Sequence, residues 1–294
     1  CDRAWHRARS CALAVAVLAL AAGSGARATT QVSTFSDLQN ALAGSDSVIH
    51  ITADTIAVTS ALTISRAVSI IGTCSAASSG GYCRLDAGGN KRVFSVSSSG
   101  SYMSKLEFYD GYDAGAGGCI TFSAPANFTD CKFNKCQTSL TGRIDGGGAV
   151  YSGGHSGVST FARVVFESNR AGVGAAVMLN GGPMDFISCT FTSNTAVSDQ
   201  SDYGYSAFHV GGGGGTACTV RDSTFTNNVA THSTKGCLIS TWGTASSPVI
   251  TGCTFSNNTA PNALIWAETS RPLTVSSSYC NSVKCGSGGG SCAT

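Results

Sequence analysis

The chain has 294 residues, of which 42% are hydrophobic and only 12% are charged, and its formal net charge is +2. Average soluble domains are about 25% charged, so this chain can bury a large core while its surface is built mainly from Ser, Thr, Asn and Gly. The 37 glycines follow no strict Gly-X-Y period, which excludes collagen and favours a fold with many turns.

Residues 1–28 are predicted to be a secretory signal peptide. Arg3, Arg7 and Arg9 form a basic start, residues 11–22 are apolar, and residues 26–28 read Ala-Arg-Ala, a small-x-small cleavage pattern. The apolar stretch is shorter than the ~20 residues that a spanning helix needs. We therefore expect an extracellular or cell-surface protein that does not span a membrane after cleavage.

The segment after the signal predicts a capped start to a β structure. Residues 35–43 have the apolar spacing of a short amphipathic helix. Residues 48–71 are rich in β-branched side chains and predict the first strands. A helix that covers the first strand edge would suppress edge-to-edge aggregation.

A short pattern, Phe-x-x-Asn, recurs through the rest of the chain at steps of 25 to 34 residues. It contains Phe166, Phe191, Phe225 and Phe255, with Asn169, Asn194, Asn228 and Asn258, and Phe108 and Phe133 precede it as weaker copies. Each copy is followed by a short apolar strand, and the residues between are poor helix formers. The strands must therefore stack directly on one another.

This periodicity predicts an all-β fold, a single-stranded right-handed parallel β-helix, with one domain over residues 29–280 and a Gly/Ser/Cys-rich tail over 281–294. Equivalent residues of adjacent windings would lie ~4.8 Å apart. The phenylalanines should form an interior ladder, and the asparagines should lie in the turn because Asn tolerates left-handed conformations.

The cysteines predict disulfides. Twelve remain after the signal, an even number in a chain directed to an oxidising compartment. We expect Cys74 to pair with Cys83, and a second bridge within Cys280, Cys285 and Cys292. No paired CxxC or HxxxH pattern favours zinc instead, and we expect no metal or cofactor.

The repeats also resemble those of a known group of proteins. The Gly-Gly-Ala-Val of residues 147–150 and the Phe-x-x-Asn copies resemble the repeats of chlamydial polymorphic outer membrane proteins, and residues 35–72 resemble the capped start of the pectate-lyase-like superfamily. The resemblance implies a right-handed β-helix. It implies little about activity, because that superfamily includes lyases, hydrolases, adhesins and inert modules.

Charged residues near the phenylalanines are the first candidates for chemistry. Lys105, Asp130 and Arg163 each stand three residues before a repeat phenylalanine, and Lys132 stands one before. Opposite charges on neighbouring windings favour a structural ion-pair ladder. The alternative is a lyase site, since the resemblance implies acidic residues that bind Ca²⁺ and an Arg or Lys base; calcium is expected only in that case.

Two further sequence features are expected at the surface. Asn127 and Asn257 begin N-x-Thr sequons, which are glycosylation sites in a eukaryotic secretory pathway. The outward pairs Thr190/Thr192, Thr224/Thr226 and Thr254/Ser256 resemble the Thr-x-Thr faces of ice-binding solenoids, although Thr is also a favoured strand residue.

These observations predict an adhesin-like module, without catalysis, that binds polysaccharides, cell-surface glycans or partner surfaces. No basic run follows residue 28, so nucleic acid is not an expected partner. A polysaccharide lyase or hydrolase is the alternative function, and an ice-binding β-solenoid is the second alternative.

Overall fold

The computed structural model describes residues 29–75, 81–139, 146–197, 205–211, 217–231, 236–241, 248–261, 263–267, 274–276 and 279–280. These residues form a parallel β-solenoid with one short helix near its start, which confirms the predicted β-helix. The predicted signal peptide, the tail over 281–294, Cys285 and Cys292 lie outside the described residues. In the described part, no helix is long and apolar enough to cross a membrane.

The helix, α1, spans Phe35–Ala43 and confirms the predicted N-terminal cap. Its N-cap is Thr34, whose hydroxyl accepts a hydrogen bond from the Asp37 N–H at 3.2 Å. This is the usual way to satisfy a free N–H at a helix start. Leu38 and Leu42 face the first windings and are buried, so α1 covers the core at this end.

Strands of successive windings pair in parallel in four sheets. Sheet A contains Thr29–Val32, Val48–Ile51, Ser69–Gly72, Ser101–Ser104, Ala126–Thr129, Ser159–Ala162, Met184–Ile187, Cys218–Arg221, Val249–Thr251 and Thr274–Ser276. Sheet B contains Thr55–Ala57, Cys83–Asp86, Leu106–Tyr109, Lys132–Asn134, Val165–Glu167, Thr190–Thr192, Thr224–Thr226, Thr254–Ser256 and Tyr279–Cys280. Sheet C contains Leu62–Ile64, Phe94–Val96, Ile120–Phe122, Val150–Ser152, Val177–Leu179, Tyr205–Val210, Gly236–Thr241 and Ala263–Ala267. Sheet D is made of two-residue strands, Tyr112–Asp113, Gln137–Thr138, Arg170–Ala171, Thr195–Ala196 and Val229–Ala230.

The predicted phenylalanine ladder lies on the inner side of sheet B and is buried throughout. Neighbouring rings are stacked with centroids 4.5 to 5.1 Å apart, in the order Phe108, Phe133, Phe166, Phe191, Phe225 and Phe255. In the strand pairing, each of these phenylalanines therefore lies opposite a phenylalanine of the next winding. The stack fixes the register of the repeat, because a shift by one residue would turn every ring outward.

A second aromatic stack lies on the inner side of sheet A and was not predicted. Phe128, Phe161 and Phe186 stack with centroids 4.7 and 4.9 Å apart. Each stands five residues before a phenylalanine of sheet B. In these three windings the recurring pattern therefore also includes a phenylalanine five residues earlier, which is the sequence signal for the second stack.

Left-handed residues mark the two ends of the sheet B strands that carry the phenylalanine ladder. All eleven non-glycine residues with positive φ in the described part lie in two columns. One column, three residues before the repeat phenylalanine, contains Lys105, Asp130, Arg163, Ser188 and Asp222; the other, two residues after it, contains Asp110, Lys135, Ser168, Ser193, Asn227 and Asn257. The chain therefore turns one corner as it enters sheet B and a second corner as it leaves. Each corner contains a left-handed residue, a conformation that strains the backbone of non-glycine residues.

The repeat asparagines follow the second corner, and the reason we predicted for their position was wrong. The left-handed residue is the one before each asparagine. Asn169 and Asn194 are fully buried, and their side chains form a ladder. The Asn194 Nδ2 donates to Phe166 O and to Asn228 Oδ1, both at 2.9 Å. The asparagines thus satisfy backbone groups that the corner removes from the sheet ladder.

The cysteines divide into bridges and buried thiols. Cys74 pairs with Cys83, as predicted. A bridge between Cys119 and Cys136 was not predicted. Cys136 occupies the position that asparagine holds in later windings, and its N–H donates to Asn169 Oδ1 at 2.9 Å, so this bridge begins where the asparagine ladder ends.

The predicted presence of disulfides is confirmed, but Cys131, Cys189 and Cys218 are buried thiols. Cys131 and Cys189 hold the same place in the repeat, but a winding with Val164 lies between them. Two windings correspond to about 9.6 Å, beyond the 4.4–6.8 Å Cα separation of a disulfide. Burial raises the pKa of the Cys131 and Cys189 thiols to about 12.

Candidate functional site

The charged residues predicted from the sequence lie at a corner rather than on one strand face. Lys105, Asp130 and Arg163 are left-handed residues between sheets A and B, with φ of 54°, 51° and 54°. Lys132 lies in sheet B itself. Lys132 therefore belongs to a different column from Lys105, Asp130 and Arg163, and the corner separates the two columns.

Asp130 and Arg163 pair with each other across neighbouring windings. The Arg163 Nε and Nη2 donate to the two carboxylate oxygens of Asp130 at 2.6 and 2.8 Å. Both side chains are largely exposed, and this hydrogen bonding raises the pKa of Arg163. Lys105, the third member of the column, takes part in no ion pair within the described residues. The three residues do not converge on a common point.

Lys132 belongs to a separate row of alternating charges along sheet B. Its Nζ lies 2.5 Å from Glu167 and 3.8 Å from Glu107. Glu107 is 1% exposed and accepts hydrogen bonds from Arg84 Nε at 2.8 Å and from Asn134 Nδ2 at 3.0 Å. The row has the form of the ion-pair ladder expected from the sequence, and each carboxylate faces basic groups rather than an open site.

The described residues contain no group of three or more His, Cys, Asp or Glu side chains that could hold a metal ion. Calcium needs six to eight oxygen ligands, several of them carboxylates. Asp130 instead uses both of its oxygens on Arg163. The described corner column therefore offers no obvious calcium cage.

His209 lies in a strand of sheet C and is buried. Its Nδ1 is 2.6 Å from Ser240 Oγ, which is 2.7 Å from Ser206 Oγ. Burial lowers the pKa of His209 to about 4. The ring is therefore neutral at physiological pH and satisfied by a serine.

The two sequons lie in different environments. Asn257 is exposed and occupies a left-handed corner with φ of 53°. Asn127 is also exposed, but it lies within a strand of sheet A, where its Oδ1 accepts the Thr160 N–H at 3.1 Å. Glycosylation at both asparagines stays a prediction.

A cleft on the outer side of sheet C was not predicted from the sequence. Ser95, Thr121 and Tyr151 occupy equivalent outward positions of three successive windings. With Arg92, Ser97 and Ser123 they line a cleft of about 320 Å³. This volume lies at the lower end of the range for small-molecule sites, and five of the lining side chains carry a hydroxyl group, beside the apolar side chains of Val96, Ala116 and Phe122.

Tyr151 stands at one end of the cleft. Its ring is half-buried and packs against Met178 and Val173. Its hydroxyl accepts a hydrogen bond from Asn180 Nδ2 at 3.0 Å. The ring is therefore held in place from the side away from the cleft.

Arg92 is the one cation among the residues that line the cleft. It donates to Gly117 O at 2.9 Å and to Ala116 O at 2.6 Å, and its Nη2 lies 2.8 Å from the Asp113 carboxylate. Burial lowers the pKa of Arg92, and Asp113 opposes that effect. Arg92 thus holds the 116–117 backbone that forms a wall of the cleft.

Comparisons with protein-family models, with curated proteins and with solved structures found no significant match. The class of protein is therefore defined by the fold alone, a parallel β-solenoid. The likeness to pectate-lyase-like and chlamydial repeats remains a resemblance of motifs.

Proposed function

We propose that the protein is a secreted or cell-surface β-helix module that binds a glycan, without catalysis, in the cleft on sheet C. The observation that carries this proposal is the row of Ser95, Thr121 and Tyr151 on three windings, which puts hydroxyl groups beside an aromatic ring. Sugars are recognised by this combination, because an aromatic ring offers an apolar face and a polar tip.

The rigidity of the site supports binding. Each lining strand is hydrogen-bonded to its neighbours on both sides, and Tyr151 is buttressed by Met178 and Asn180. A preformed site loses little conformational entropy when a ligand binds. The bridges Cys74–Cys83 and Cys119–Cys136 are compatible with an extracellular protein.

The charged residues favour binding over a lyase or hydrolase reaction. A catalytic site would bring Asp130, Arg163 and a third charged group to one point, whereas Asp130 and Arg163 pair with each other. A lyase releases unsaturated uronates. An assay for these products on a panel of acidic polysaccharides, with and without Ca²⁺, would overturn the non-catalytic proposal if it were positive.

The test of glycan binding is a glycan array probed with the residue 29–294 chain, followed by titration calorimetry of the bound glycans. We expect Tyr151→Ala to weaken binding by at least about tenfold, since loss of a stacking aromatic ring costs about 1–3 kcal/mol in nucleic-acid binding and about 1.4 kcal/mol corresponds to a tenfold change in affinity. Tyr102→Ala is the matched control, because Tyr102 is a partly exposed tyrosine on sheet A. Binding that is equally weakened by both substitutions, or by neither, would contradict the proposal.

Ice binding is a second candidate function, and one observation favours it. Thr190, Thr224 and Thr254 are in register on sheet B, beside a second column of Thr192, Thr226 and Ser256. The two columns form a grid of hydroxyl and methyl groups with ~4.8 Å spacing between windings. Thermal hysteresis that is lost in Thr224→Tyr would support this function, and its absence in the parent chain would remove it.

A further inference from the structure

The polar groups of the cleft are nearly all uncharged. The lining side chains that can bond a ligand are the hydroxyls of Ser95, Ser97, Thr121, Ser123 and Tyr151, with Arg92 beside them. No carboxylate is among the lining residues of the described cleft. Among the lining residues, Arg92 is therefore the one charged group that a ligand can meet.

The charge of Arg92 is already used within the protein. Its Nη2 lies 2.8 Å from Asp113 Oδ2, and its Nε and Nη2 also donate to the carbonyls of Gly117 and Ala116. The arginine side chain is only 18% exposed. An acidic sugar would lose its hydration in the cleft without gaining an unpaired cation, and burial of an unpaired charge is costly.

The hydroxyls supply both kinds of hydrogen-bonding partner. Tyr151 accepts from Asn180 Nδ2, so its own proton is left to donate to a ligand. Ser97 donates to Ile64 O at 3.3 Å, so its oxygen is left to accept. A neutral sugar hydroxyl both donates and accepts, whereas an ionised carboxylate or sulfate only accepts. The pattern therefore matches an uncharged sugar better than an acidic one.

The aromatic ring points to the same ligand. Tyr151 packs against Val173 and Met178, and it lies between Met178 of the next winding and the cleft residue Thr121 of the preceding one. The C–H groups of a neutral pyranose present an apolar face that suits such a ring.

We infer that the cleft selects a neutral glycan rather than a uronate-containing or sulfated one. This inference rests on the proposed glycan-binding function and names its ligand class. It differs from what the motif resemblance implies, since a lyase of that superfamily would act on an acidic polysaccharide.

The experiment compares neutral and acidic oligosaccharides by titration calorimetry at low and high salt. The neutral probes are oligosaccharides of glucose, mannose and galactose; the acidic probes are oligogalacturonate and a sulfated galactan. We expect the best neutral probe to bind at least about tenfold more tightly than either acidic probe. Its affinity should change little with salt, because no ion pair forms.

One substitution should reverse the preference. Asp113→Asn removes the carboxylate that neutralises Arg92, while the amide oxygen can still accept from the N–H groups of Gly115 and Ala116. We expect this variant to gain about tenfold in affinity for an acidic probe, in a salt-sensitive manner, and to keep its affinity for the neutral probe. Asp185→Asn, on the outer side of sheet A, is the matched control and should change neither affinity.

The outcomes separate the two claims. If acidic probes bind more tightly than neutral ones and Tyr151→Ala abolishes that binding, the inference of a neutral ligand is overturned while the glycan-binding function stands. If no probe of either class binds, the proposed function fails and the inference fails with it. If neutral probes bind equally well to the parent chain and to Tyr151→Ala, the site lies elsewhere and the inference is overturned.

Discussion

The asparagine ladder allows one stability prediction to be worked out in detail, with Asn194→Asp as the perturbation. The substitution keeps the shape of the side chain and removes its two N–H donors. Those donors reach Phe166 O and Asn228 Oδ1, both at 2.9 Å. The new carboxyl group would therefore place an oxygen against two acceptor oxygens in a fully buried position.

The magnitude follows from the groups left unpaired. A buried acceptor without a donor costs about 1–3 kcal/mol. Two acceptors lose their donor here, so we expect the free energy of unfolding to fall by about 2–6 kcal/mol at neutral pH. The buried acid has its pKa raised in the folded protein. Its protonated form is then favoured by folding, so the loss should be smaller below the unfolded-state pKa of about 3.9 and grow as pH rises.

The assay is urea unfolding followed by circular dichroism at neutral and at acidic pH. Asn127→Asp is the matched control, because Asn127 is exposed and only its Oδ1 is used, to accept the Thr160 N–H. We expect the control to lie within about 0.5 kcal/mol of the parent chain. An Asn194→Asp variant as stable as its control, or equally destabilised at both pH values, would refute the role of the ladder.

Three further predictions concern other buried groups. His209 has a pKa of about 4 in the folded protein against 6.5 in the unfolded chain. The free energy of unfolding should therefore fall by up to about 3 kcal/mol as the pH drops from 6.5 toward 4. His209→Gln should remove most of this pH dependence from unfolding curves measured at several pH values. Glu107→Gln should destabilise the chain by about 1–3 kcal/mol, because Glu107 is buried. Asp130→Asn, in an exposed ion pair, should cost less than about 1 kcal/mol. Equal losses of stability for the two variants in urea unfolding would contradict the effect of burial. Replacing both Cys119 and Cys136 by Ser should lower stability by about 3 kcal/mol, given the 17-residue separation, and a thermal-shift comparison with the parent chain checks it.

The stacked windings could be predicted from the sequence because the Phe-x-x-Asn pattern repeats from one winding to the next. Each winding places Phe191 and Asn194 in the same environment as Phe225 and Asn228, and identical environments select identical residues. The capping helix was readable for a similar reason, since its buried residues Leu38 and Leu42 follow helical spacing.

The cleft was not found from the sequence, because its residues are ordinary in type and distant along the chain. Ser95, Thr121 and Tyr151 become neighbours only when sheet C has its register. One signal was available, since Gly117-Gly118 precedes Ile120 as Gly147-Gly148 precedes Val150. Aligning those glycine pairs would have placed Thr121 beside Tyr151.

The corner position of these charged residues could not be predicted from the sequence, for a physical reason. Lys105 and Arg163 occupy left-handed corner positions that long side chains seldom adopt, so counting residues back from phenylalanine placed them on a strand. The ion pair between Asp130 and Arg163 was readable from their opposite charges at equivalent positions.

The most direct test of the account is a crystal structure of the protein soaked with the neutral oligosaccharide that binds best. We predict sugar density in the cleft on sheet C, with one ring against Tyr151 and hydroxyls within hydrogen-bond distance of Ser97 and Thr121. Sugar bound along the Asp130–Arg163 corner, or a cleft left empty while sugar occupies another face, would contradict the account.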